Sequence, residues 1–257
     1  MRKIIHLSDL HVGHEECGDK FRALIDNITF LKQPANNYIV LITGDIVDNA
    51  NQGEQTEEAV DVIKQLEGRG YTVLVVPGNH DYGTGVLGNK KFVGLFKKKY
   101  YKSRKISYPK LDIIDEIAFI GLDSTAEELH WLDRIFSEGE LGKAQLRRLK
   151  KILNKSEVAS CKRVVYLHHH PFDFKPGMQL KDSNGLKNII ENKIDMLLFG
   201  HYHVDPASAG KIYHGEWGIK RCYNAGSSTH KNGNTGFQRV IDLSDADPRM
   251  DYDGNFI

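Results

Sequence analysis

Asp9 and His11 flank a single leucine, and His201 and His203 flank a single tyrosine. Residues two apart in an extended chain project to one face, so each pair aims two donors at the same place. Asp45 follows Gly44, where the backbone can turn sharply and bring a carboxylate in close. Asn79 offers an amide oxygen, and the consecutive histidines before Pro171 offer imidazoles. Carboxylate, imidazole and amide oxygen without thiolate suit Mn²⁺, Fe²⁺ or Zn²⁺ better than a structural cysteine-rich zinc site. The set Asp9, His11, Asp45, Asn79, His169, His201 and His203 is too large for one ion and suits two, with one carboxylate shared.

Each of these residues closes a short apolar run. The runs are 4–8 before Asp9, 38–43 before Gly44-Asp45, 71–76 before Pro77-Gly78-Asn79-His80-Asp81, 164–167 before the histidines, and 196–199 before Gly200-His201. Runs rich in β-branched residues without polar alternation predict strands covered on both faces. Helical spacing appears over 19–31 (Phe21, Leu24, Ile25, Ile28), 55–66 (Ala59, Val60, Ile63, Leu66) and 141–153 (Leu141, Leu146, Leu149, Leu153). It appears again at Leu186, Ile189 and Ile190, after the start signal Asp182-Ser183-Asn184. Strands separated by helices predict a largely parallel sheet, whose ligands bind outside the carboxyl ends of the strands. All five runs place Asp, Asn or His at that end. Residues 112–123 predict a hairpin or two short strands, and 213–224 and 237–243 predict later, antiparallel strands. Residues 83–105 read as a loop followed by a basic helix, and 244–257 as a peripheral tail. With no internal repeat and no linker, 1–257 reads as one domain.

The chain has 257 residues and a net charge of +1, with 40% hydrophobic and 27% charged residues, which excludes a disordered chain, a collagen and a membrane-spanning protein. Near neutrality argues against a dedicated nucleic-acid binder. Cys17, Cys161 and Cys222 are odd in number and widely spaced, which reads as thiols of a reducing cytoplasm. Asp9 interrupts the first apolar run before a signal-peptide core is complete.

In order, Asp9-Leu10-His11, Gly44-Asp45-Ile46-Val47-Asp48, Gly78-Asn79-His80-Asp81, His169-His170-Pro171 and Gly200-His201-Tyr202-His203 resemble the motifs of the calcineurin-like metallophosphoesterase family. Gly-Asn-His-Asp is the most specific of the five. The resemblance implies an α/β fold, a four-layer α/β/β/α sandwich with two mixed sheets face to face and helices outside. It also implies that Asp9, His11, Asp45 and His203 hold one ion, and that Asp45, Asn79, His169 and His201 hold the other. His169 is selected because the family ligand usually lies two residues before the proline. Val12 departs from the protein-phosphatase pattern, which has glycine there. Asp48 stands where purple acid phosphatases carry a metal-binding tyrosine, and His80 where lipid A pathway hydrolases carry arginine. The wording Ser8-Asp9-Leu10-His11-Val12-Gly13 is similar to DNA-repair nucleases and to bacterial phosphodiesterases of the class III cyclic-nucleotide type. The nucleases usually add a capping domain after the last motif, for which the segment after His203 leaves little room.

The expected chemistry follows from two divalent ions. They would acidify a bridging water to a hydroxide that attacks phosphorus in line. His80 would protonate the leaving alkoxide, and Asp48 would orient His80. Small phosphodiesters, cyclic nucleotides among them, are the favoured substrates. A nuclease or phosphomonoesterase is the alternative, and an inactive scaffold the least favoured reading. His14 and His170 are candidates for substrate contact, His6 reads as a core residue, and His168, His214 and His230 read as structural or exposed. The segment from Lys97 to Lys105, with Tyr100 and Tyr101, could track a polyanion. A solvated helix face is the preferred reading. Specificity is assigned to the loops 83–105, 172–181 and 205–217.

Overall fold

The computed structural model describes residues 2–84, 88–125, 138–172, 178–203, 215–229, 238–243 and 252–254. His214, His230 and most of the 205–217 loop lie outside these residues.

Strand β2 (Tyr38–Ile42) is buried at every position, and its side chains divide between two cores. Val40 and Ile42 join a helix-covered core, while Ile39 and Leu41 join a core between sheets. Strand β1 (Lys3–Leu7) divides likewise, with Ile5 and Leu7 on one side and Ile4 on the other. Successive side chains of a strand face opposite ways, so an unbroken apolar run is what a strand covered on both faces requires.

Strands β3 (Thr72–Val75), β4 (Lys110–Ile114), β5 (Ile117–Gly121), β6 (Lys162–Tyr166), β7 (Met196–Phe199), β8 (Arg221–Asn224), β9 (Gln238–Asp242) and β10 (Tyr252–Gly254) complete two sheets. The first has the order β10-β9-β1-β2-β3 and the second β4-β5-β6-β7-β8. In the first, β1, β2 and β3 are parallel, with Lys3 opposite Tyr38 and Ile39 opposite Thr72, and β9 runs antiparallel to β1. In the second, β4 and β5 form the antiparallel hairpin and β5 to β8 are parallel. Two expectations are corrected. The five apolar runs do not share one sheet, since three lie in the first and two in the second. The strand expected in 213–224 pairs parallel, not antiparallel, with β7. Within the expected tail, Tyr252–Gly254 pairs with β9 as the edge of the first sheet.

Helices α1 (Cys17–Thr29), α2 (Gly53–Gly68) and α3 (Lys90–Tyr101) pack Leu24, Ile28, Ile63, Leu66, Phe92 and Phe96 onto the outer face of the first sheet. Helices α4 (Gly142–Leu153), α5 (Ser156–Ala159) and α6 (Ser183–Ile190) do the same for the second, through Leu149, Leu153, Val158, Leu186 and Ile190. Between the sheets, Ile39, Leu41 and Leu74 meet Phe119, Val164, Tyr166 and Leu198. The order of layers is therefore α/β/β/α. Burying each such side chain contributes about 1.5–3 kcal/mol relative to exposure, and the three cores fix how the strand ends of both sheets face one another.

Candidate metal centre

The loops leave the strands through left-handed backbone. Asp9 (φ 51°), His11 (43°), Asp45 (49°) and His201 (70°) all adopt it. Such conformations cost about 1–3 kcal/mol each for residues with a Cβ and persist where the surroundings enforce them. Here the Asp9 and His11 N–H groups donate to the carbonyls of Gly44 and Asp45, both at 3.0 Å. The His201 N–H donates to Asp9 Oδ2 at 3.0 Å. Gly44, at φ 92°, lies so close to the third motif that a Cβ would come within 2.6 Å of the Gly78 nitrogen. A Cβ on Gly200 would come within 1.9 Å of Ser8 Oγ. These glycines let the Gly44 backbone meet the Gly78 backbone and the Gly200 backbone meet the Ser8 and Asp9 side chains.

Two groups of donors result. In one, His203 Nε2 lies 3.1 Å from Asp9 Oδ1 and 2.9 Å from His11 Nε2. In the other, His168 Nε2 lies 3.1 Å from Asn79 Oδ1, 3.1 Å from His201 Nδ1 and 3.3 Å from Asp45 Oδ2. Asp9, Asp45 and His168 also place ligand atoms within 4.8 Å of one another, which links the groups. His168 Nδ1 donates to the Thr43 carbonyl at 2.7 Å, so its Nε2 faces the centre.

The structure brings both His168 and the expected His169 to the second group, where His168, His169 and His201 place ligand atoms within 4.8 Å of one another. His169 Nδ1 lies 2.8 Å from Ser124 Oγ, and the His169 N–H donates to that same oxygen at 3.3 Å. Its ring lies against His201, with centroids 4.5 Å apart, but His168 is the histidine set among Asp45, Asn79 and His201. The pleat explains this. Tyr166 faces the other sheet, Leu167 the helices, and the next alternation returns His168 toward the other sheet.

Electrostatics agree with cation binding. Burial alone would raise the Asp9 carboxyl, yet His203 and His168 outweigh it and hold Asp9 at about 2. Asp45, equally buried, is held well below the usual range by His168, His80 and His11. Burial would lower His168, but the Asp45 and Asp9 carboxylates raise it to about 9. His201 is pushed down to about 3 and His11 is also lowered, both chiefly by burial, so their rings are neutral and able to ligate. Buried carboxylates, the neutral His11 and His201 imidazoles and an amide oxygen make a donor set that fits divalent cations, and His168, cationic without metal, would release its Nε2 proton on ligating. Asp81 braces the same loops, accepting from the N–H groups of Gly78 (2.9 Å), Ile46 (3.0 Å) and Val47 (3.2 Å).

His80 stands at the edge of this centre with its side chain 24% exposed. It lines a cleft of about 350 Å³ together with Asp45, Asn79, Met178, Tyr202 and His203. Its Nδ1 donates to the backbone carbonyl of Asp48 at 2.6 Å, while the Asp48 carboxylate stands 4.0 Å away. That carboxylate lies nearer His11, 3.4 Å from Nδ1. The support expected from Asp48 therefore divides, backbone to His80 and side chain to His11. His14 is half-buried on the turn after His11, whose carbonyl accepts its N–H at 3.0 Å. His170 is not among the described residues that line the cleft. It is 2% exposed, with ring centroids 4.6 Å from Phe199 and 5.3 Å from Tyr202, which itself lines the cleft. His6 is a core residue, its Nε2 3.0 Å from Thr43 Oγ1.

Sequence reasoning missed the segment after β8. Ser227 Oγ donates to the Asp9 carbonyl at 2.9 Å, Thr229 Oγ1 donates to the Leu10 carbonyl at 2.6 Å, and Ser228 Oγ accepts the Ser8 N–H at 3.1 Å. The signal was weak, since Gly226-Ser227-Ser228-Thr229 follows Arg221-Cys222-Tyr223-Asn224, which is not an apolar run like those before the other motifs.

The layered fold and the buried carboxylate–imidazole centre at its strand ends are those of a metallophosphoesterase. The chain belongs to the calcineurin-like phosphoesterase family, whose model matches residues 2–205. Among solved structures it is similar to the calcineurin-like phosphoesterase YfkN from Bacillus subtilis, at 13% identity and a TM-score of 0.56 over 93% of this chain and 83% of that one. It is also similar to an archaeal phosphodiesterase (13% identity, TM-score 0.48, 98% of each chain). A protein serine/threonine phosphatase from Saccharomyces cerevisiae is a third (13%, 0.46, 98% of this chain and 79% of that one). The likeness to YfkN shows the shared fold. No curated protein matches. Family membership makes the chain a phosphoester hydrolase. No helix among the described residues is long and apolar enough to cross a membrane.

Proposed function

We propose that this hydrolase is a two-metal phosphodiesterase for small diesters. Asp9, His11, Asp45 and His203 would hold one divalent ion and Asp45, Asn79, His168 and His201 the other, with Mn²⁺, Fe²⁺ and Zn²⁺ all suited to these donors. Bound there, the ions would supply charge neutralisation at the phosphoryl oxygens and a water acidic enough to attack phosphorus near neutral pH. The observation that carries the diesterase reading is the placement of His80. With Nδ1 committed to the Asp48 carbonyl, Nε2 is the nitrogen left to carry a proton to a departing alkoxide. Met178 and Tyr202, beside His80 in the cleft, offer apolar surface to an ester substituent.

The basic segment does not argue for a nucleic-acid track. Lys99 pairs with Glu57, Lys102 lies 3.9 Å from Glu67, and Lys97 sits over the Tyr108 ring at 5.1 Å. Nucleic acid is therefore the less favoured substrate. The three free cysteines fit a reducing cytoplasm. A comparison of kcat/KM for a model diester, cyclic AMP, single-stranded DNA and a phosphopeptide, with Mn²⁺ at fixed salt, tests the reading. Small diesters lead the series on this account. If DNA leads and its rate collapses with added salt, as several phosphate contacts require, the nuclease reading replaces it.

A further inference from the structure

Met178 stands apart among the described residues that line the cleft at the metal centre. Every other one is a proposed ligand or the immediate neighbour of one, whereas Met178 lies shortly before α6 and is half-buried. A side chain brought to the cleft from there has to be held by its own segment.

Residues 178–182 lie alongside 138–142, outside both sheets. The Gly139 N–H donates to the Gln179 carbonyl at 2.9 Å, and the Lys181 N–H donates to the Gly139 carbonyl at 2.8 Å. Gly139 thereby stands opposite Leu180 in an isolated parallel bridge. Side chains repeat the link, since Glu138 accepts from Gln179 Nε2 and pairs with Lys181 Nζ, both at 3.3 Å. The Asp182 carboxylate accepts the N–H groups of Leu141 (3.0 Å) and Gly142 (2.9 Å) at the start of α4. Such bonds from a helix start to a carboxylate are charge-assisted and favoured by the helix dipole. Leu141 and Leu180 are buried in the helix-covered core of the second sheet. Gly139 lies against the His169 ring, where a Cβ would come within 2.4 Å of Cγ. Backbone pairing, a carboxylate clamp and two buried leucines fix this strap, and Met178 is its end toward the cleft.

We propose that Met178 selects phosphoesters carrying an aromatic substituent, and that Asp182 is the residue that positions it. An unbranched, polarisable thioether makes favourable contact with an aromatic ring. Asp182 acts through the strap alone. His80, in the same cleft, serves the departing group, which leaves Met178 to the group that stays. The inference deepens the diesterase reading, on which it rests, by naming that second substituent.

The test keeps the leaving group fixed and varies the group that stays. Phenyl 4-nitrophenyl phosphate and methyl 4-nitrophenyl phosphate are compared by kcat/KM on the Mn²⁺-loaded full chain, corrected for their uncatalysed rates. In parallel, NMR follows the Met178 methyl in Zn²⁺-loaded protein titrated with diphenyl phosphate or dimethyl phosphate, which reads contact without turnover. The phenyl diester should lead by roughly tenfold, as one small apolar contact allows. The Met178 methyl should shift saturably with diphenyl phosphate and not with dimethyl phosphate. Met178→Ala should bring the ratio toward one, and Met178→Leu should restore most of it. Asp182→Ala should lower the ratio too, and should add nothing to Met178→Ala in the double variant, since both remove one contact. If Asp182→Ala fails to fold, Glu138→Ala releases the other side-chain tie and is held to the same outcome. A wild-type ratio near one, a ratio unmoved by Met178→Ala, or equal losses on both diesters from the strap variant would overturn the proposal. Turnover of 4-nitrophenyl phosphate in place of both diesters, with the Met178 shift intact, would overturn the diesterase reading and support Met178 as the aromatic contact.

Discussion

The Nε2 of His168 lies 3.1 Å from the amide oxygen of Asn79, with the opposite ring nitrogen bonded to the Thr43 carbonyl. The ring is thereby locked with Nε2 toward Asp45, Asn79 and His201. His168→Ala should reduce the metal content of saturated protein from about two ions per chain toward one and abolish hydrolysis, whereas His169→Ala should retain both ions. Elemental analysis of the two variants side by side checks this. Loss of an ion from His169→Ala alone would restore His169 as the ligand.

Asp45 is the carboxylate proposed to be common to both ions. Asp45→Asn should therefore weaken both sites together, while His203→Ala weakens one. Competitive titration against a chromogenic chelator reads the stepwise affinities. Two unchanged steps in Asp45→Asn would contradict the shared ligand.

Asp48 acts through two different atoms. Asp48→Ala removes the carboxylate beside His11 and keeps the backbone carbonyl that holds His80. The expected outcome is a metal affinity lower by about 10–100-fold, as for other groups that orient a metal-binding histidine. At saturating metal the preference among leaving groups should stay unchanged. A selective loss on alkyl leaving groups would instead make the carboxylate a partner of His80.

His80 should matter most where the leaving group is a strong base. His80→Ala is expected to slow an alkyl phosphodiester by about 10²–10⁴-fold and a nitrophenyl diester far less, with metal content intact. Equal losses on both substrates would assign His80 a positioning role.

Gly44 combines φ 92° with a backbone neighbour only 2.6 Å from where a Cβ would stand. Gly44→Ala should cost about 1–3 kcal/mol or more from backbone strain alone, and should separate the second and third motifs. A urea midpoint and a metal titration measure the two effects. A variant with wild-type stability and metal content would show that the contact is softer than the geometry implies.

Much of this was legible in the chain itself. Runs such as 38–43 announce strands because burial on both faces leaves no polar alternation, and their ends place Asp9, Asp45, Asn79, His201 and His203 where the structure gathers donors. Alternation says that Ile39 and Val40 face opposite ways but not what each face meets, so the division into two sheets was not visible from the runs alone. His168, the proposed ligand, and His169 differ by a single step of the pleat, which counting back from Pro171 cannot register. The left-handed backbone of Asp9, His11, Asp45 and His201 carried no glycine to announce it. The hydroxyls of Ser227 and Thr229 act on backbone carbonyls rather than on an ion, and so matched no metal-ligand pattern.

The central claim is diester hydrolysis by a metal centre, and one ratio tests it most directly. It is kcat/KM for bis(4-nitrophenyl) phosphate over that for 4-nitrophenyl phosphate, measured on chelator-stripped protein reloaded with Mn²⁺. The account predicts negligible activity before reloading, recovery after it, and a ratio well above one. Activity that survives stripping, or a reloaded enzyme that prefers the monoester, would contradict it.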